Sequence, residues 1–381
     1  MTNKSIAIIG GGAAGMAVAS FLNERLFNVT IYERNKALGR KFLVAGKGGF
    51  NLTHGESLSL MKSRYHPRGF MDRSLEGFSN EDFRNWLTEL GIPTFVGTSN
   101  RVFPIKGIKP INVLQKIINH LTEKKVNIVY DYQWKGEQIA DIVIYALGGA
   151  SWAITGSDGS WADNFSDTLP FKASNCAFKI NWPKPFIEVA EGKPLKNIVQ
   201  RYKENYAKGE VVITNYGLEG GAIYQLSYYL VRDIYRFGKV EIHVDLKKDT
   251  PEEVLLSKLS NSREKTLTNA LKRDCNLSRQ AIALLKNILT KNDFLELPTL
   301  AYNIKHLPLT LHQPAPISEA ISTTGGINLE MLNENFELKG SPDHYCIGEM
   351  SDWNAPTGGY LLQACFSMGH HLATNLNARH L

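Results

Sequence analysis

A short apolar run near the start of the chain is followed directly by three consecutive glycines. Residues 6–9 read IAII, and after GGG the small or apolar residues continue to residue 22. A signal peptide or a membrane helix has an unbroken apolar centre, and each glycine inside an isolated helix costs about 1 kcal/mol relative to alanine. The pattern instead predicts a buried strand over 6–9, a helix from Ala13 to about Leu26 and a second strand over 29–33.

The glycines of this run have the spacing G-x-G-x-x-G, at Gly10, Gly12 and Gly15. Gly10 permits a tight turn, Gly12 lets a pyrophosphate approach the backbone, and Gly15 lets the helix pack on the sheet. Glu33 ends the second strand, where a carboxylate accepts hydrogen bonds from ribose hydroxyls and repels a 2′-phosphate. The strand–helix–strand unit therefore predicts a dinucleotide site, and one unsuited to NADP.

Strand and helix patterns continue through the first 150 residues. Residues 94–104 read as a hairpin, and residues 110–121 read as a helix that buries Ile111, Leu114, Ile118 and Leu121. Predicted strands over 127–132 and 141–147 leave too short a connection for a β-meander. We therefore expect a tight turn between them.

The middle of the chain changes character. Short alternating strands around 176–180, 210–214 and 240–245, with Pro and Gly between them, predict a β-barrel or sandwich. Residues 250–253 read TPEE, a capping box followed by helices to about 289, and residues 298–316 read as a return to strands. The predicted domains are a cofactor domain (1–170 with 318–381), an inserted β-domain (171–250 with 298–317) and a helical subdomain (251–297).

Composition restricts the class of protein. The four cysteines show neither a CxxC pair nor metal-ligand spacing: Cys176, Cys275, Cys346 and Cys365. This argues against a disulfide framework and a metal site, and it favours a reducing cytoplasm. We expect no membrane partner, since no other apolar run approaches membrane-spanning length.

Positive charge is concentrated in the middle segment. Residues 171–317 hold 22 Lys plus Arg against 15 Asp plus Glu, whereas the rest of the chain is near neutral. A solvated basic face and an anionic partner, including nucleic acid, both fit this distribution.

Four further stretches carry a resemblance. They are GRKFLVAGKGGFNLTH (39–54), DIVIYALGGASWAITGSDGSW (141–161), ISTTGGI (321–327) and CIGEMSDWNAPTGGYLLQACFSMGHHLA (346–373). Over nearly the whole chain, the sequence resembles the aminoacetone oxidase and BaiN-like (YhiN-like) flavoproteins. The resemblance implies an α/β fold: a glutathione-reductase-type, FAD-binding Rossmann domain built from both termini, with an inserted β-barrel domain carrying a nested helical unit. Many relatives read S-G-G-G-R-C-N where this chain reads AGKGGFN (45–51), so Gly49 and Phe50 replace an Arg and a Cys and indicate a subgroup.

The motifs nominate a set of FAD-binding residues. Cations would supply charge to a pyrophosphate or a substrate anion, glycines would permit close approach, and the helix after residue 359 would direct N–H groups to the flavin. The resemblance implies that the Gly348–Glu349 pair meets the ribityl chain or the pyrophosphate. The set comprises Gly10, Gly12, Ala13, Ala14, Gly15, Glu33, Arg34, Arg40, Lys41, Lys47, Gly48, Asn51, Thr53, Gly148, Gly348, Glu349, Asp352, Gly358, Gly359 and Tyr360.

Flavin performs the electron transfer itself, so the sequence need not contain a catalytic dyad, and spacing reveals none. The candidates to line a substrate pocket are His54, Tyr216, Tyr224, His312, Trp353 and Tyr360. No second G-x-G-x-x-G and no CxxxxC follow, which excludes a dedicated NAD(P)H domain and disulfide reductase chemistry.

Three functions stay open at this point. The resemblance implies an oxidase of a small amine such as aminoacetone, with oxygen as acceptor. The alternative is a reductase of an enone or a uridine-type ring, in which NAD(P)H visits the flavin transiently and the substrate is a small molecule or a base in RNA. The third is a non-enzymatic flavin-binding protein.

Overall fold

The computed structural model describes residues 3–44 and 49–381. The chain separates into two compact units. Unit 1 comprises the described residues up to Ala173 and from Ile317 onward, and unit 2 comprises Ser174–Pro316. The helices of the described residues include none long and apolar enough to cross a membrane.

The strands found in these residues are, in chain order, β1 (Lys4–Ile9), β2 (Phe27–Tyr32), β3 (Thr53–His54), β4 (Thr94–Val96), β5 (Arg101–Pro104), β6 (Asn127–Val129), β7 (Ile142–Tyr145), β8 (Thr168–Ser174), β9 (Phe178–Lys179), β10 (Pro194–Tyr202), β11 (Asn205–Ile213), β12 (Gly217–Glu219), β13 (Val240–Asp245), β14 (Leu307–Leu311), β15 (Ser322–Ile327) and β16 (His344–Cys346).

The α-helices found there are α1 (Ala13–Phe21), α2 (Arg40–Val44), α3 (Leu58–Lys62), α4 (Asp72–Gly77), α5 (Asn80–Glu89), α6 (Pro110–Glu123), α7 (Lys184–Ala190), α8 (Gly221–Gln225), α9 (Ser227–Phe237), α10 (Glu252–Ser260), α11 (Leu267–Arg273), α12 (Arg279–Ile288), α13 (Lys291–Leu295), α14 (Leu297–Lys305) and α15 (Tyr360–His380).

Unit 1 is built on a parallel sheet with the strand order β6-β2-β1-β7-β16. The order places the first strand in the middle, as in dinucleotide-binding folds. Ile8 of β1 pairs with Ile31 on one side and Ile144 on the other, and all three are fully buried. Because β16 comes from the C-terminal part of the chain, both ends contribute to one sheet. The predicted fold class is confirmed.

Helices α1 and α15 pack closely over this sheet. A Cβ atom at Gly369 of α15 would lie 2.7 Å from the Val18 nitrogen and 2.8 Å from the Ala17 Cβ, so only glycine permits this approach. Phe366 of α15 stacks on Phe83 of α5, with ring centroids 4.4 Å apart. The C-terminal helix is therefore part of the core of the unit.

Unit 2 contains an antiparallel sheet with the order β14-β13-β10-β11-β12-β9. Its first and last strands meet, because the residues after β14 hydrogen-bond to β9. The His312 N–H donates to the Lys179 carbonyl (3.0 Å), and the Lys179 N–H donates to the Gln313 carbonyl (2.8 Å). The sheet thus closes on itself, which agrees with the predicted barrel and leaves few free strand edges.

Several predicted elements need correction in unit 1. Helix α1 ends at Phe21 rather than near Leu26, because the Asn23 carbonyl accepts hydrogen bonds in a turn. Helix α6 buries Leu114 and Leu121 as predicted, but it leaves Ile111 51% exposed and Ile118 half-buried, and it buries Val113 and Ile117 in their place. The predicted hairpin over 94–104 is present as β4 and β5, and no strand is described between β6 and β7.

Unit 2 differs more from the sequence interpretation. The long β10–β11 hairpin was predicted only at its end, around residues 210–214. Residues 297–305 form helix α14 rather than a strand, with Pro298 in its first turn, and within unit 2 the predicted return to strands is limited to β14. Helix α10 begins at Glu252 after Pro251, and no side chain caps it. Division of this unit into a β-domain and a helical subdomain stays a prediction.

Candidate cofactor site

The predicted cofactor residues follow the carboxyl ends of neighbouring parallel strands in unit 1. Gly10 follows β1, Glu33 follows β2, Gly148 comes shortly after β7, and Gly348 comes shortly after β16. In open parallel sheets this edge is where ligands bind. The topology therefore brings together residues that are more than 300 positions apart in the sequence.

The glycine turn leaves an open space at one position only. A Cβ at Gly10 (φ +108°) would lie 2.4 Å from the Ala146 oxygen, and one at Gly15 would lie 2.0 Å from the Gly10 oxygen. A Cβ at Gly12, the residue before α1, would meet no described atom within 4 Å. Gly10 and Gly15 therefore serve packing, while Gly12 faces the space that a pyrophosphate at the start of a helix would need. Ala13 and Ala14 form the first turn that follows.

Glu33 is buried, and its orientation is fixed by its neighbours. One carboxylate oxygen accepts the Gly11 N–H (2.9 Å), and the other accepts the backbone N–H (2.8 Å) and the side-chain amide (2.6 Å) of Asn35. A carboxylate offers about four acceptor positions. The Glu33 oxygen that accepts the Gly11 N–H thus keeps one acceptor position. We propose that a ribose hydroxyl would donate a hydrogen bond to it.

The two arginines predicted to bind the cofactor are tied to the loop after β7. Arg34 forms an ion pair with Asp158 (2.8 Å). Arg40 donates to the Ile154 carbonyl (2.9 Å) and to the Asn35 side chain. Both side chains therefore hold this loop in place. A direct contact of either arginine with a cofactor stays a prediction.

Lys41 and Glu349 connect the two ends of the chain. The Lys41 ammonium lies 2.7 Å from a Glu349 oxygen and 2.7 Å from the Ser151 hydroxyl. The second Glu349 oxygen accepts the Thr323 N–H (3.1 Å). The lysine thus offsets the negative charge of this carboxylate.

The Gly348 region lies against the start of α1. A Cβ at Gly348 (φ +80°) would lie 2.7 Å from the Ala14 Cβ. Trp353 is buried and donates its indole N–H to the Gly348 carbonyl (2.7 Å), while Asp352 accepts the Gly325 N–H (2.7 Å). Both side chains hold backbone turns, so a pocket role for Trp353 and a cofactor contact for Asp352 stay predictions.

The start of α15 approaches β3. Gly358 and Gly359 have positive φ angles of +116° and +100°, and a Cβ at Gly359 would lie 2.5 Å from backbone atoms of Thr53. Gly359 precedes the helix and offers no side-chain cap, so the first N–H groups of α15 are available to a ligand. The Thr53 hydroxyl donates to Gln363 (2.6 Å) and so secures this helix. The helix runs from Tyr360 to His380.

A buried polar cluster holds Tyr360, the first residue of α15. The Tyr360 hydroxyl donates to Glu56 (2.6 Å), and Arg64 donates to both Glu56 oxygens (3.1 and 2.9 Å). Burial acts to raise the pKa of Glu56, but the hydrogen bonds from Arg64 and Tyr360 outweigh it and lower that pKa. The Tyr65 hydroxyl donates to the Tyr360 carbonyl (2.9 Å). Burial, together with Glu56, raises the pKa of Tyr360, which stays a neutral phenol at neutral pH.

His54 stacks on the Tyr360 ring, with centroids 5.0 Å apart. Its Nδ1 accepts the Glu56 N–H (3.3 Å), which places the proton of the neutral ring on Nε2. Burial lowers the pKa of His54, and a hydrogen bond to the Ser99 backbone acts in the opposite direction. His54 is thus a backbone-bonded ring that supports Tyr360.

The remaining pocket candidates lie in unit 2. Tyr216 donates to the Pro314 carbonyl (2.9 Å), and His312 bonds through its backbone to β9. Tyr224 lies on α8, where burial raises its pKa to about 12. Their predicted pocket roles stay predictions.

Four predicted cofactor residues remain. Lys47 and Gly48 lie outside the described residues. Asn51 is half-buried, and Gly148 (φ +74°) accepts the Trp161 indole N–H (2.9 Å) through its carbonyl.

Sequence reasoning missed the partners that hold these groups in place. Glu56, Arg64, Asn35 and Ser151 each secure a predicted residue, yet none belongs to a recognised spacing. Glu56 and Tyr360 are 304 positions apart, so only the folded chain reveals their contact.

Several known proteins are similar to this chain. The family model described as "HI0933-like protein Rossmann domain" matches residues 4–375. A ribosomal RNA dihydrouridine synthase of Haemophilus influenzae is 24% identical over 97% of this chain and 98% of its own length. A 3-dehydro-bile acid delta(4,6)-reductase of Clostridium scindens is 24% identical over 96% of this chain and 97% of its own. Among solved structures, a 3-ketosteroid-delta4-(5alpha)-dehydrogenase of Rhodococcus jostii is 13% identical and covers 98% of both chains, with a TM-score of 0.47.

Proposed function

Because the chain belongs to the HI0933-like Rossmann family and is an FAD-dependent oxidoreductase, we propose that it saturates a carbon–carbon double bond in a ring. FAD and the oxidoreductase class, both predicted from the sequence, are confirmed. The proposed substrate is a uracil-type base, and the proposed reductant is NAD(P)H, which visits the flavin transiently.

One observation carries the proposal. Two curated relatives, matched over nearly their whole length, are named for a dihydrouridine synthase and for a delta(4,6)-reductase. Dihydrouridine is uridine with hydrogen added across its ring double bond, so both names refer to reduction of unsaturated rings. The absence of a second G-x-G-x-x-G in this chain agrees with a reductant that binds only briefly.

The residues of unit 1 fit the cofactor. The open face at Gly12 would receive the pyrophosphate, Glu33 would hold the ribose, and Lys41 would offset the charge of Glu349. Once reduced by NAD(P)H, bound FAD would supply the hydride that a ring reduction needs, and a proton would complete the addition across the double bond. The contacts of Tyr360 with Glu56 and Tyr65 fix the start of α15. The first N–H groups of this helix would stabilise negative charge on the reduced flavin.

Anaerobic reduction of the purified, FAD-loaded protein tests the proposal. We expect NADH or NADPH to bleach the visible flavin absorbance, and a uridine-containing RNA or a cyclic enone to restore it. Oligomers of dihydrouridine serve as a matched control that cannot accept hydride. Flavin that NAD(P)H leaves oxidised, or reduced flavin that no unsaturated ring reoxidises, would contradict the proposal.

The same experiment tests oxidation of a small amine, which the sequence resemblance implied first. Bleaching by aminoacetone, followed by hydrogen peroxide release in air, would support that reaction instead. We also propose a cytoplasmic location, which the four free cysteines support.

A further inference from the structure

Arg101, the first residue of β5, is a half-buried cation beside the start of α15. It pairs across the sheet with His54, whose ring stacks on Tyr360. A Cβ at Gly358 would lie 3.6 Å from the Arg101 Nε and 3.6 Å from the Tyr360 ring. The strand register and the approach to Gly358 therefore agree in placing the guanidinium next to the residues that lead into α15.

The Arg101 guanidinium has no hydrogen-bond or ion-pair partner among the residues that the structure describes. Other cations of unit 1 are already engaged: Arg64 donates to both oxygens of Glu56, and Lys41 pairs with Glu349. A guanidinium is always charged and has five N–H donors, and partial burial removes some of the water that would satisfy them. Arg101 is thus available to bind an oxygen atom of a ligand.

The nearby carboxylate does not compensate the charge of Arg101. Glu56 is buried and accepts hydrogen bonds from Arg64 and Tyr360. Burial lowers the pKa of His54, so this ring is neutral at neutral pH. Arg64 and Arg101 contribute two positive charges and Glu56 one negative charge, which leaves one positive charge without a counter-charge.

The first turn of α15 supplies further donors close to Gly358. The Gln363 N–H donates to the Gly359 carbonyl (2.9 Å), so the N–H groups of residues 360–362 have no acceptor within the helix. A helix N-terminus carries about half an elementary positive charge, whereas Arg101 carries a full one. Arg101 is therefore the larger source of positive charge at this end of α15.

We propose that Arg101 binds the N1–C2=O edge of the bound flavin and stabilises the negative charge that this edge gains on reduction. The edge offers hydrogen-bond acceptors to a guanidinium, and its anionic form would bind more tightly than its neutral form. The pyrophosphate is assigned to Gly12 at the start of α1, so the charge left for the start of α15 is that of the ring. The inference rests on the proposed function for the flavin beside α15, and not for the substrate or the reductant.

Equilibrium reduction of the purified, FAD-loaded protein against indicator dyes, without substrate or NAD(P)H, measures the midpoint potential of the flavin. Arg101→Gln removes the charge and keeps a polar side chain. We expect it to weaken the binding of reduced relative to oxidised FAD by about 10- to 100-fold, which lowers the potential by about 30–60 mV. Arg101→Lys keeps the charge and should retain most of the potential. Arg73→Gln removes an exposed arginine elsewhere in unit 1 and should leave the potential unchanged.

Sulfite provides a second measurement, on the oxidised protein. It donates an electron pair to the flavin ring and leaves negative charge on the same N1–C2=O edge. Arg101→Gln should therefore raise the dissociation constant for sulfite by at least about tenfold, whereas Arg73→Gln should not change it.

Three results would overturn the inference. The first is a wild-type potential and sulfite affinity in Arg101→Gln, with native circular dichroism and full flavin occupancy. The second is weaker binding of oxidised FAD with an unchanged potential, because the guanidinium would then hold the pyrophosphate. The third is an equal shift in Arg73→Gln, which would reflect net charge alone. Because neither measurement uses a substrate, a protein whose potential depends on Arg101 but which reduces no ring would refute the proposed function and leave this inference intact.

Discussion

Two glycine-to-alanine variants, at positions three residues apart in the sequence, separate cofactor binding from folding. In Gly12→Ala the new methyl group would meet no described atom within 4 Å. Alanine is less favourable than glycine directly before a helix, which lowers the stability of the folded protein. Alanine also restricts the unfolded chain, which raises that stability, so the two effects should cancel to within about 1 kcal/mol. The methyl group would nevertheless occupy the space proposed for the pyrophosphate. Crowding of this kind costs about 1–3 kcal/mol, or about a 5- to 150-fold loss of FAD affinity.

Gly15→Ala is the contrasting change. Its Cβ would lie 2.0 Å from the Gly10 oxygen, whereas ordinary contact begins at 3.4 Å. The strand and helix must separate, so we expect the FAD-free protein to lose about 1–3 kcal/mol of stability. For a unit of this size, each kcal/mol lowers Tm by about 2–4 °C.

Thermal unfolding of both variants, with and without FAD, provides the assay, together with the flavin-to-protein absorbance ratio after dialysis. We expect Gly12→Ala to unfold like the wild type without FAD and to gain less from added FAD. Gly15→Ala should unfold earlier under both conditions. Full flavin retention by Gly12→Ala would refute the placement of the pyrophosphate, and early unfolding of its FAD-free form would refute the open space.

Three further variants test other parts of unit 1. Glu33→Arg should lower FAD retention, since it replaces the proposed ribose acceptor with a donor; full flavin occupancy after purification would contradict that role. Gly369→Ala should cost about 1–3 kcal/mol in urea unfolding, because its Cβ would lie 2.7 Å from the Val18 nitrogen. Folding lowers the pKa of Glu56, so its pairing stabilises the protein above the usual value of 4.5 and is lost as pH falls through the lowered value. Glu56→Gln should therefore show a shallower loss of stability below about pH 4.5 than the wild type, and an unchanged acid limb would count against the pairing.

Parts of the site could be predicted from the sequence where the local backbone conformation limits which residue types are possible. The turn at Gly10, the acid at Glu33 and the helix start at Tyr360 each depend on spacing within a few residues. Their places in the structure follow, because parallel strands align their carboxyl ends. The convergence of both chain ends followed from the family resemblance and not from any local pattern.

The rest depends on contacts between distant residues. Glu56 meets Tyr360 across 304 positions, and no periodicity encodes such a pair. Strand β10 includes exposed Lys196 and Asn197 at a bulge, which interrupts the alternation that marks a strand. The sequence predicts strands from Pro298 onward, but proline is compatible with the first turn of a helix, where α14 has it.

The parallel sheet that takes its edge strand from β16 has a consequence for biosynthesis. β1, β2 and β7 leave the ribosome long before β16 and α15 do. The parallel sheet of unit 1 therefore stays incomplete while the residues between β7 and β16 are synthesised. Unit 2 is continuous, from Ser174 to Pro316, and domains tend to fold as they leave the ribosome. We therefore expect the inserted unit to fold first, and the flavin to be acquired only after β16 and α15 have been synthesised.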